Sequence, residues 1–149
     1  HEQQLVTEYI SDQLTNLGIN LNTDGPKTVE AGNVAHICTN FEFVTDVKRE
    51  SIIDSLHPTP AVCGLPKDQA LSRIIKAEPH DRELYCGFLG PVNMNNQDRL
   101  FVNLRSMKVD RNQVHLFVGG GITSDSEAEL EWQETEMKAS TLLGVIENL

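Results

Sequence analysis

Residues 126–146 carry a helical pattern long enough to fix how the C-terminal part of the chain folds. Within it runs Glu131-Trp132-Gln133-Glu134-Thr135-Glu136-Met137-Lys138. A helix turns by about 100° per residue, so positions 131, 134 and 138 fall inside an arc of about 60°. Two carboxylates and one ammonium therefore share a face. Glu131 and Glu134 have the spacing to hold a hard divalent cation directly or through water, and Lys138 has the reach to meet an anion bound to it. The same residues suit a solvated acidic face closed by an i,i+4 pair between Glu134 and Lys138. Spacing alone leaves both readings open.

The 149-residue chain as a whole narrows the classes. Hydrophobic residues make up 39% and charged residues 23%, which suits one ordinary globular domain. The formal net charge of −10 argues against nucleic acid or an anionic membrane as partner. No apolar run is long enough to span a bilayer, and no secretory signal is present. The three cysteines Cys38, Cys63 and Cys86 form no CxxC, so reduced thiols in a cytoplasmic protein, buried as small hydrophobes, are expected. The first residue is His1 and the pattern opens inside a helix, so a fragment is expected.

Leu5, Val6, Tyr9, Ile10, Leu14 and Leu17 follow helical spacing from Glu2 to Leu17, with Gly18 as a stop. Glu2 lies on the inward stripe, where a carboxylate needs a metal or a cation. Asn20 to Pro26 reads as a turn-rich connection around Asp24-Gly25-Pro26. Val34 to Val44 reads as a strand, with His36 flanked by apolar residues, as a structural histidine or a catalyst. Asp46 to Leu56 reads as a helix that ends at His57-Pro58-Thr59-Pro60. Ala61-Val62-Cys63-Gly64-Leu65-Pro66 is a tight small-residue stretch, and Lys67 to Ala77 is a second helix. Strand candidates follow at Glu83–Gly90, Arg99–Val109 and Gln113–Val118, the last two joined by Asp110-Arg111-Asn112.

Both faces of the middle strand are largely apolar, so it is expected to be covered on both sides. Arg105 within it calls for a carboxylate, from the protein or from a ligand. Gly119-Gly120-Gly121 follows the third strand and bares backbone N–H groups, but is neither a P-loop nor a dinucleotide fingerprint. Ser124 and Ser126 offer caps for the last helix.

The segments LHPTPAVCGLP, AEPHDRELYCG, LRSMKV, LFVGGGI and EWQETEMK occur in that order. Together with Glu2 in its helix, they resemble the chorismate-utilising enzymes, most closely the isochorismate synthases of menaquinone and siderophore formation. The resemblance covers essentially the whole chain. It implies an α/β fold of the α+β type, with antiparallel sheet layers flanked by helices. Residues 1–149 would be the C-terminal part of a single chorismate-binding domain, and the N-terminal half would be its partner. Alone, such a piece would expose sheet edges and apolar faces.

The resemblance also implies a site. Magnesium would bridge the protein and the ring carboxylate of chorismate, held by Glu2 and Glu134 with Glu131 in a water-mediated position. Arg105 and the Gly119 backbone would hold the enolpyruvyl carboxylate, and Lys138 would lie near the ring carboxylate and the metal. His36 matches the active-site histidine, and Ala61 and Val62 match the wall that helps choose the nucleophile. Aminating relatives usually carry Thr at the Ala61 position, so alanine favours water over ammonia. The implied reaction adds water at C2 and expels the C4 hydroxyl to give isochorismate. The expected pathway is menaquinone formation, the more widespread of the two. A salicylate-forming or aminating chorismate enzyme is the near rival, and a silent binding or structural fragment the distant one. Gln3 stands where relatives commonly carry His. The family's general base (a Lys) and general acid (a Glu) belong to its N-terminal half, outside this chain.

Overall fold

The computed structural model describes residues 2–31 and 34–146. They fall into two units, His1–Ile74 and Ile75–Leu149.

In the first unit, α1 (Glu2–Asn16) ends in a Schellman arrangement. Gly18 takes φ +75°, which a residue without Cβ adopts freely. Its N–H then bonds the Thr15 carbonyl at 2.9 Å, and the Ile19 N–H bonds the Leu14 carbonyl at 3.1 Å. This brings together Leu14 and Ile19, which with Cys63 are the buried hydrophobic residues of the described chain. The hairpin of β1 (Asn22–Ala31) and β2 (Val34–Glu42) follows, antiparallel, with Val29 opposite His36.

The hairpin corrects the expected connection over Asn20–Pro26, because most of that stretch lies in β1. The register shifts between Asp24 and Lys27, so the Gly25-Pro26 pair sits at a bulge. A proline is tolerated there because no ladder N–H is required of it. Helix α2 (Arg49–Leu56) begins three residues later than the sequence suggests. The Val47 N–H instead bonds Thr45 Oγ1 at 3.1 Å in a local turn. A short α3 (Pro60–Cys63) occupies the small-residue stretch, with proline at its first position and Gly64 at its end. Helix α4 (Lys67–Ala77) has the bounds its pattern suggests, with Asp68 in the first turn and Lys76 in the last, each complementing the helix dipole.

In the second unit the strands are shorter than the apolar runs imply. Only β3 (Phe88–Leu89) survives from Glu83–Gly90. Glu83 and Cys86 take positive φ, and Tyr85 N–H to Arg82 O at 2.8 Å closes a turn instead. Strand β4 (Phe101–Val102) pairs with β3. The pairing continues through Cys86 N–H to Asn103 O at 2.9 Å and Asn103 N–H to Gly87 O at 2.8 Å. The hairpin of β5 (Ser106–Val109) and β6 (Val114–Phe117) is antiparallel, and α5 (Ala128–Ile146) packs on β6.

The middle run does not continue through Arg105, which sits at φ +48° between β4 and β5. Nor is it covered on both faces, since Phe101 and Val102 are both exposed. Of the cysteines only Cys63 is buried; Cys38 and Cys86 are half-buried, and all three are free thiols. Among the described residues, no helix is long and apolar enough to cross a membrane.

Candidate functional site

Helix α5 presents Glu131, Glu134 and Lys138 on one face, as the spacing requires. The Lys138 ammonium donates to the Gly119 carbonyl at 2.9 Å and pairs with Glu134. Ser126 Oγ donates to Glu131 Oε1 at 2.6 Å and itself accepts the Thr123 N–H at 3.0 Å. The segment entering α5 is thereby tied to the face that carries the carboxylates.

Gly119 and Gly120 are explained by crowding. A Cβ on Gly120 would lie 3.1 Å from Glu131 Oε2 and 3.9 Å from Lys138 Nζ. A Cβ on Gly119 would lie 2.7 Å from the Tyr85 hydroxyl. Bare backbone at these positions lets a carboxylate, an ammonium and a phenol converge on one stretch.

Tyr85 was not among the residues singled out from sequence. Its ring stacks on Phe117, with centroids 6.0 Å apart, and the Arg82 guanidinium lies 5.8 Å from its centroid. Burial, with the neighbouring Cys86 as a smaller cause, pushes its pKa to about 12, so it stays a neutral donor. Tyr85 also lines a cleft of about 600 Å3, together with His80, His115 and Phe117 and rimmed by the Lys108–Glu83 pair at 2.8 Å. The residue lies in the AEPHDRELYCG segment, but no periodic pattern links position 85 to position 119.

Arg105 is exposed, and among the described residues it makes no hydrogen bond or ion pair with Gly119, Glu131, Glu134 or Lys138. In the first unit, His36 is exposed on β2, Ala61 is exposed on α3 and Val62 is half-buried beside it. Glu2 opens α1, but its side chain lies outside the described part of the structure. Among the described residues, no group of three or more His, Cys, Asp or Glu is gathered to hold a metal ion. Glu131 and Glu134 lie one turn apart on α5, the first accepting from Ser126 and the second paired with Lys138. Two carboxylates are of the type and number that a magnesium ion usually takes, with waters completing its shell.

The profile of the chorismate binding enzyme family matches residues 1–147. The chain belongs to the chorismate-binding enzymes. It is 34% identical to isochorismate synthase EntC of Escherichia coli (strain K12) over 148 residues, covering 97% of this chain and 38% of that protein. It is 37% identical to isochorismate synthase MenF of the same organism over 145 residues, covering 95% of this chain and 33% of that protein. The crystal structure of DhbC from Bacillus anthracis superposes with a TM-score of 0.82 at 30% identity, over 98% of this chain and 40% of that one. The chain thus spans between a third and two fifths of these chorismate-binding relatives. Its mixed α+β architecture of helices and small antiparallel sheets matches part of the DhbC fold, as the sequence motifs imply.

Proposed function

We propose that this chain is the magnesium- and anion-binding part of an isochorismate synthase. The observation that carries the reading is the convergence of Glu131, Glu134, Lys138 and the bare Gly119–Gly120 backbone, in a chorismate-binding enzyme similar to EntC and MenF. Chorismate carries two carboxylates, so an acidic protein needs local positive charge at two points. Lys138 supplies one, already oriented by Gly119 and Glu134. Arg105, exposed and clear of this ion pair, supplies the other for the enolpyruvyl carboxylate, with the Gly119 N–H. Tyr85 offers a neutral hydroxyl donor at the same corner.

Glu134 and Glu131, with Glu2, would hold Mg2+, whose charge offsets the ring carboxylate when bound. His36 would face the reacting ring. Ala61 and Val62 would shape the space for the nucleophile, with alanine leaving room for water rather than a hydroxyl that orients ammonia. The proton transfers fall to residues of the family's N-terminal half. That half is the partner this chain requires.

The test is product analysis on the complete polypeptide, its intact mass determined first, with chorismate and Mg2+ in the presence and absence of ammonia. Isochorismate formed in both conditions, and lost by at least about a hundredfold in Glu134→Gln, is the expected outcome. An aminated product, salicylate as the primary product, or binding without turnover would overturn the reading.

A further inference from the structure

Residues 58–66 leave α2 and return to α4, and one ammonium closes the two ends of that segment. Lys67, the first residue of α4, donates from Nζ to the His57 carbonyl at 3.3 Å and to the Tyr9 hydroxyl at 3.3 Å. The same Nζ stands 5.9 Å from the centroid of the Tyr9 ring, where the negative face of the aromatic ring favours a cation. Tyr9 in turn donates to the Ser55 carbonyl at 3.1 Å in the last turn of α2. Ser55 Oγ donates to Gln13 Oε1 at 3.1 Å, one turn further along α1. Three helices therefore meet at a single side chain. The charge of Lys67 is felt at His57, whose pKa is lowered first by burial and second by that charge.

Inside the closed segment the backbone is tightly wound. The Val62 and Cys63 N–H groups bond Thr59 O at 3.0 and 3.1 Å, and the Gly64 N–H bonds Pro60 O at 2.8 Å. The Cys63 thiol, 1% exposed, lies 3.6 Å from Pro58 O and 3.5 Å from Gly64 O. At the far end, a Cβ on Gly64 would come within 3.1 Å of the Ala70 side chain. Helix α3 also packs on α1. The segment is thus filled by Cys63 and backed by α1 and α4, and Lys67 ties its two ends together. Ala61 and Val62 ride on it.

We infer that Lys67 is a positioning residue that closes the base of segment 58–66 and thereby fixes the Ala61–Val62 wall. The closure stands on this geometry alone; its catalytic consequence rests on the proposed isochorismate synthase reading. A wall that admits one nucleophile and excludes another must be held to a fraction of an ångström, and a lysine with two acceptors and a ring face is pre-set to hold it. Lys67 itself touches no substrate.

The experiment compares wild type, Lys67→Met and Lys67→Arg in the complete polypeptide. Methionine keeps the apolar stem and removes the donors, while arginine keeps charge and donors. N-ethylmaleimide labelling is followed peptide by peptide, with Cys86 as the internal reference. Lys67→Met is expected to speed Cys63 labelling at least about tenfold, with Cys86 unchanged and Lys67→Arg within about twofold of wild type. With chorismate, Lys67→Met is expected to lower kcat about tenfold at nearly constant KM, and Lys67→Arg to restore it.

Unchanged Cys63 labelling in Lys67→Met would overturn the closure, as would Cys86 rising in step, which signals general loosening. Freed Cys63 with unaltered kcat would overturn the positioning role. If wild type makes no isochorismate, the proposed function fails separately, and the closure is judged on Cys63 alone. Should Lys67→Met not fold, Tyr9→Phe removes one of the two acceptors while keeping the ring. A rise in Cys63 labelling of about threefold or more then supports the closure, and no rise overturns it.

Discussion

At the scale of single residues, Gly119 and Tyr85 compete for one space. The 2.7 Å separation between a Gly119 Cβ and the Tyr85 hydroxyl is below any ordinary contact. The phenol cannot swing away cheaply, because its ring is stacked on Phe117. Gly119→Ala is therefore expected to cost about 1–3 kcal/mol in stability and to weaken chorismate binding by at least about tenfold. Thermal unfolding and titration calorimetry check the two effects. A stable variant with wild-type affinity would show that the Tyr85 hydroxyl is not fixed there. Tyr85 carries a second prediction. Its pKa lies above the ordinary 10.0, at about 12, so folding disfavours its ionised form. The resulting stability is complete below pH 10.0 and is lost as pH rises toward 12. Absorbance titration at alkaline pH is expected to show a late phenolate step that Tyr85→Phe abolishes.

At the scale of elements, a turn over Arg82–Cys86 takes the place of the first half of the strand expected over Glu83–Gly90, and the Glu78–Arg82 ion pair sits at its start. Hydrogen bonding to the Arg82 guanidinium holds the Glu78 carboxyl below its ordinary 4.5, against an opposing effect of burial. A depressed carboxylate pKa stabilises the fold above the unfolded value and loses that contribution as pH falls through the folded one. The turn is thus expected to lose support as pH falls below 4.5, and Glu78→Gln to flatten that part of the Tm–pH curve. The elements legible in the sequence were those whose cause is local. Helix α4 has both its amphipathic stripe and its terminal charges within its own residues. Helix α1 needs only its stripe and Gly18. The Glu134–Lys138 pair likewise follows from helical spacing. What escaped depends on segments distant in the chain. Strand β1 looked like a turn because Gly25-Pro26 breaks the pattern, yet a bulge against Cys38–Asn40 accommodates the pair. Arg105 looked like a strand residue because its neighbours are apolar, but its positive φ ends the strand. The contacts of Gly119 with Tyr85 and Lys138 join three separate segments, and periodicity cannot report them.

At the scale of the whole molecule, apolar side chains remain on the surface of both units. Ile37 is 59% exposed in the first unit, and Phe101 62%, Trp132 63% and Met137 65% in the second. A chain that spans 38% of EntC is expected to leave such surface bare, because the rest of the family's fold would cover it. The 149-residue chain by itself is accordingly expected to bind a hydrophobic dye, to self-associate and to form no isochorismate. Adding the family's N-terminal half as a separate polypeptide is expected to suppress the dye signal. A monodisperse, dye-silent chain with turnover of its own would contradict this. Those bare side chains also bear on how a cell would handle the protein. Chaperones and proteases sample surfaces of this kind continuously, and what stays uncovered is removed. The steady amount of any polypeptide carrying these faces would then depend on how fast they are covered as well as on how fast it is made.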